Sequence, residues 1–206
     1  MKEALKDQGW ILPQLESNMR NQINISNIKV GSHGAYKMQS SITKLKSGTN
    51  IVGDLPIMLK VKGSEWKGKK DQILTHCLQE MNKKDKKNVV ILHDGDPDFK
   101  DVGKDLKRLT KDKTVIEYPS NQGKQKDISN IKDFIEKDDH ILFTERDYFN
   151  GCEASNIIYL NHSHKGFSPN LIGYRNTLMR AVQNVILVNL GEFTNITGMK
   201  EDYRFF

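Results

Sequence analysis

The chain has no apolar run approaching the roughly 18 to 20 residues that would cross a bilayer, so no membrane partner is expected. Its first residues, Met-Lys-Glu-Ala-Leu-Lys-Asp, lack an apolar stretch followed by a small-residue cleavage site, and secretion is not signalled. The expected setting is intracellular, cytoplasmic or nuclear. Only two cysteines occur in 206 residues, Cys77 and Cys152; they fit no zinc spacing and no disulfide framework, in keeping with a reducing compartment. Aromatic residues are 8% of the chain and do not interleave with its basic runs. That excludes the stacking platform of many single-strand binders but leaves backbone tracking open. There is also no Gly-x-x-x-x-Gly-Lys-Ser/Thr. Without that backbone cradle for β- and γ-phosphates the chain is not expected to hydrolyse ATP alone.

A net charge of +6 points to acidic partners such as nucleotide or nucleic acid. Much of the lysine is clustered, at Lys67, Lys69 and Lys70 and at Lys83, Lys84, Lys86 and Lys87, where a solvated helix end and turn is the favoured reading. From about residue 55 short apolar runs alternate with helical patterns, the signature of βαβ units and a largely parallel sheet. The expected strands are 55–61, 88–93, 114–118, 140–144, 156–160 and 185–189. Most lack strict alternation, as strands covered on both faces do. Ile73, Leu74, Cys77, Leu78 and Met81 give one apolar face to a helix over 65–82. Further helices are expected over 97–109, with Asp96 as cap and Pro97 first, beyond Asp127, and over 170–183. Residues 1–54 differ, with a short helix near 21–28 and a Gly/Ser/Lys-rich connector over 31–53. One structural unit is expected overall, with 55–206 as its main domain.

The candidate site residues follow from phosphate chemistry. Arginine is always charged, planar and multidentate, so it can stabilise charge spread over phosphoryl oxygens in a transition state. Arg20 closes Leu15-Glu-Ser-Asn-Met-Arg20, and Arg180 stands on the expected last helix one turn before a strand. Gly151-Cys-Glu153 lies in a loop between two strands, where glycine permits close backbone approach and Glu153 can accept hydrogen bonds from a ribose or an arginine. Two further groups are weaker. Asp94-Gly-Asp96-Pro-Asp98 follows a strand as the aspartates of haloacid-dehalogenase phosphotransferases do, but Asp98 stands where those enzymes carry threonine or valine. His162-Ser-His164 shows no third ligand, so no metal site is expected.

In their order the three phosphate-directed motifs resemble those of the second RecA-like domain of UvrD/Rep-like superfamily 1 helicases. Leu15-Glu-Ser-Asn-Met-Arg20 is similar to the Leu-x-x-Asn-Tyr-Arg motif that opens that domain. Gly151-Cys-Glu153 before Asn156-Ile-Ile-Tyr-Leu160 resembles motif V, and Leu178-Met-Arg-Ala181 before Val185-Ile-Leu-Val188 resembles motif VI. Asn150 replaces the usual lysine of motif V, Glu145-Arg-Asp147 its usual Thr-x-His start, and Met179 the usual threonine of motif VI. The resemblance implies a RecA-like three-layer α/β domain. It also implies that Arg20 and Arg180 act as arginine fingers on ATP, whose Mg2+ is held by an N-terminal Walker-A domain absent from this sequence. Gly151 and Glu153 would then couple nucleotide to single-stranded DNA or RNA. The alternative is a degenerate nucleotide-sensing module of a signalling or scaffold NTPase, without helicase activity.

Overall fold

A computed structural model describes residues 17–18, 23–26, 28–32, 46–47, 53–82, 88–119, 130–134, 136–162, 177–190 and 194–206. Its elements in chain order are β1 (Ser17–Asn18), α1 (Ile23–Ser26), β2 (Lys29–Ser32), β3 (Lys46–Ser47), β4 (Ile57–Val61), α2 (Gly63–Asn82), β5 (Val89–His93) and α3 (Val102–Leu109). They continue with β6 (Thr114–Tyr118), β7 (His140–Glu145), β8 (Ala154–Asn161), β9 (Ala181–Asn189), β10 (Thr194–Thr197) and β11 (Lys200–Phe205). Seven strands form one sheet in the order β11-β4-β9-β8-β5-β7-β6, every neighbouring pair parallel.

The central strands are apolar because successive side chains enter opposite cores. Along β5, Val89 and Ile91 pack on one face and Val90 and Leu92 on the other; along β8, Ile158 and Leu160 oppose Ile157 and Tyr159. The first face is covered by α2, through Trp66, Ile73, Leu74, Cys77, Leu78 and Met81, and by Phe99, Val102 and Leu106. The second is covered by Ile25, Ile28, Phe149, Leu178 and Ile196, with Ile131 and Phe134 packed against them. Each fully buried Leu, Ile or Phe contributes about 1.5–3 kcal/mol, so the two faces supply most of the driving force. The result is a three-layer α/β domain, as the sequence predicts.

Three departures have local causes. The helix expected over 97–109 is a 3-10 turn, Pro97–Phe99, followed by α3. Asp96 caps the turn by accepting the Asp98 N–H at 2.8 Å, and Phe99 seats edge-on against Trp66. The helix expected through residue 183 has already ended: residues 179–180 turn, and Ala181 opens β9 opposite Ala154. Pairing with β8 overrides the helical spacing of Leu178 and Val182. Strands also occur where a connector was expected, since β2 pairs antiparallel with β10 and β3 pairs with β1. These short strands are held by backbone hydrogen bonds and carry no apolar alternation to announce them. Residues 120–129 and 163–176 lie outside the described residues, with the helix start near Asp127 among them.

Candidate functional site

Because all seven strands run the same way, chemistry-bearing residues collect at two opposite ends of the sheet. At the amino end, Asn156 and Asn184 are buried and tie three strands together. Asn184 Nδ2 donates to Asn156 Oδ1, and Asn156 Nδ2 donates to the Asn88 carbonyl, each at 2.9 Å. Asn88 in turn donates to the carbonyls of Phe134 and Lys137 and accepts the His140 N–H. In this amide ladder Asn156 and Asn184 are register partners in the β8–β9 pairing, and an irregularity in register separates them from Ala154 opposite Ala181.

Arg180 sits just beyond the ladder. Leu178, fully buried, anchors the turn beneath it, and the Arg180 N–H bonds the Thr177 carbonyl at 3.2 Å. Its guanidinium donates to the Cys152 carbonyl at 2.9 Å and to Asn150 Oδ1 at 3.2 Å, while its own carbonyl accepts the Ala154 N–H. The fold thus joins Arg180 to the Gly151-Cys-Glu153 loop, two features nearly thirty residues apart in the chain. Gly151 has φ +84°, a conformation that favours glycine, and a β-carbon added there would meet no neighbour within 4 Å. Glu153 is exposed on the same loop. A guanidinium has five N–H donors, of which two are engaged in these contacts. Arg20 lies outside the described residues.

At the carboxyl end, the loops after β5 and β8 meet. Asp94 joins them: its Oδ2 accepts the His162 N–H at 2.7 Å and its Oδ1 the Asp96 N–H at 3.1 Å. Burial lifts the Asp94 carboxyl above the usual carboxylate range, and these two donors partly offset the lift. His162 Nδ1 lies 3.3 Å from Asp96 Oδ2 and 3.7 Å from Asp98 Oδ2. His93 accepts the Gly95 N–H through Nδ1 and stacks on Phe143 at 4.8 Å; burial lowers its pKa to about 4, so the ring is neutral near pH 7. Lys67 reaches Asp98 at 3.4 Å from α2.

The sequence places His162 beside His164 and finds no third ligand there. The fold instead sets His162 beside two aspartates from another loop, while His164 is outside the described residues. The missing signal is the strand order, which alone makes β5 and β8 neighbours.

The sheet order and flanking layers define an α/β domain of RecA-like type. Among solved structures, the chain is similar to the C-terminal domain of a possible DNA helicase from Lactobacillus plantarum WCFS1. The likeness has a TM-score of 0.50 at 12% identity and covers 85% of this chain and 89% of that one. No family profile and no curated protein matches the sequence. Among the described residues no helix is long and apolar enough to cross a membrane.

Proposed function

We propose that the chain is the second motor domain of a helicase-type ATPase of the UvrD/Rep-like kind, working against ATP and Mg2+ held by an N-terminal Walker-A domain. The observation that carries this reading is the clasp of Arg180 on the Gly151-Cys-Glu153 loop at one end of a RecA-like sheet. In parallel α/β sheets a domain's own ligand occupies the carboxyl end of its strands. A group supplied to a neighbour's nucleotide in a head-to-tail pair belongs elsewhere on the domain, and Arg180 stands at the amino end. Its further N–H donors are enough for a bidentate grip on a phosphate. Arg20 is proposed as the companion finger, and Gly151 with Glu153 as the link between nucleotide and single-stranded DNA or RNA.

A second reading is a nucleotide-sensing module of a signalling or scaffold NTPase that closes on ATP without moving along a strand. One contact favours it: Asn150, at the position of the expected lysine, takes up the Arg180 guanidinium itself. The two readings separate in one experiment. A Walker-A domain of helicase type is joined to the chain, and ATP turnover is measured with and without single-stranded DNA and RNA. Stimulation by either nucleic acid supports the motor. Turnover or nucleotide-dependent closure indifferent to both supports the sensor.

A further inference from the structure

We propose that Asp96, Asp98 and His162 form a binding site for a divalent transition-metal ion at the carboxyl end of the sheet, a site independent of Arg180 and of the nucleotide reading. One ligand atom from each lies within 4.8 Å of the others. Ligand atoms about 2.1 Å from a metal stand roughly 3.0 to 3.4 Å apart at octahedral or tetrahedral angles; the 3.3 Å contact of His162 Nδ1 with Asp96 falls in that range, and the 3.7 Å contact with Asp98 is slightly longer. Two carboxylates and an imidazole supply three ligand atoms, and Lys67, 3.4 Å from Asp98 Oδ1, stands beside the cluster. The Asp96 side chain is only 4% exposed, so its Oδ2 meets His162 Nδ1 inside the fold rather than at the surface.

The topology points to the same place by a separate route. The chain leaving β5 crosses toward β6 on one side, packing Phe99, Val102 and Leu106 on the first face. β9, which follows β8 in the chain, lies on the opposite side of β8 from β5, and Leu178, just before β9, packs on the second face. Adjacent parallel strands whose connections diverge in this way open a crevice at their carboxyl ends, the usual ligand position in open α/β sheets. Asp96 and Asp98 follow β5, and His162 follows β8.

The donor set names the class of ion. Imidazole nitrogen with carboxylate oxygen selects zinc, manganese or cobalt over magnesium or calcium. Three protein ligands leave positions open to water or an anionic group. Asp94 is the positioning residue, because it bonds the backbone of both ligand-bearing loops.

The test is calorimetric titration of the chelator-treated full chain with zinc and manganese chlorides, in a Cys152→Ser background that removes the exposed thiol. Cobalt is titrated in parallel and followed by visible absorption. One equivalent should bind with a dissociation constant below about 100 μM, weakened about tenfold or more in Asp98→Asn and His162→Gln. Asp98 is partly exposed, so Asp98→Asn should keep its circular dichroism and melting curve and still report if His162→Gln misfolds. The proposal is overturned if no saturable binding occurs. It is equally overturned if folded Asp98→Asn binds as the parent does, or if magnesium and calcium bind as tightly as zinc.

Discussion

Asn156→Ala tests the amide ladder on which the amino end of the sheet is built. The Asn156 side chain is 4% exposed and bridges β5 and β9 through two hydrogen bonds of 2.9 Å. Truncation removes both. It leaves the Asn88 carbonyl without this donor and the Asn184 amide without this acceptor, at a depth where water does not fully replace them. Two neutral hydrogen bonds at about 1 kcal/mol each, with desolvation of the groups left behind, put the loss at roughly 2–4 kcal/mol. Against a domain stability of about 5–15 kcal/mol that is a large fraction. Urea unfolding followed by circular dichroism and by fluorescence of the buried Trp66 measures it. Asn184→Ala also removes the bond between the two asparagines, so the double variant should be less destabilised than the sum by about 1 kcal/mol. A loss below about 0.5 kcal/mol for Asn156→Ala, or a strictly additive cycle, would refute the ladder as a structural tie.

Three other outcomes follow from single groups. His93, whose pKa is lowered to about 4 from an ordinary 6.5, binds protons more readily unfolded than folded between those values. Stability should therefore be full above about pH 6.5 and fall toward pH 4, by at most roughly 3 kcal/mol and less for its remaining solvent contact. His93→Gln should lose this part of the slope; an unchanged pH profile would exclude His93 as its source. Burial also pushes the Cys77 thiol up, while Cys152 is exposed. Ellman's reagent should accordingly find one reactive thiol in the native chain and two after unfolding. Fast reaction of both in the native state would contradict the packing of α2. Gly151→Ala meets no neighbour but must hold φ +84°, so a cost of about 1 kcal/mol is expected in the same urea assay. A neutral result would mean that the loop does not need that conformation.

The strands with apolar side chains on both faces were legible because burial on two sides demands an unbroken apolar run: Val89–His93 and His140–Glu145 fall within a residue of their expected bounds. β11 was not, since Lys200–Phe205 is an edge strand rich in charge, and it joins the sheet through backbone pairing with β4. The 181–184 stretch reads as helix by spacing and becomes strand because β8 extends far enough to pair with it. The convergence of Arg180 with Gly151-Cys-Glu153 was suggested by motif order and is a contact in the fold. The meeting of Asp96 and Asp98 with His162 was not legible, because local patterns do not reveal which strands become neighbours in the sheet.

Arg180 is proposed to act on a nucleotide bound by another domain. The most direct measurement is the ATP turnover of the chain joined to a helicase-type Walker-A domain, compared with Arg180→Ala and Arg180→Lys. The contacts Arg180 makes here are with loop groups at the surface, so Arg180→Ala should destabilise the domain by no more than about 1 kcal/mol. A finger role predicts that turnover falls by about a thousandfold or more, and that lysine, which keeps the charge but loses the fork, restores little of it. Turnover within about twofold of the parent in a folded Arg180→Ala chain would contradict the account and leave Arg180 as a clasp on its own loop.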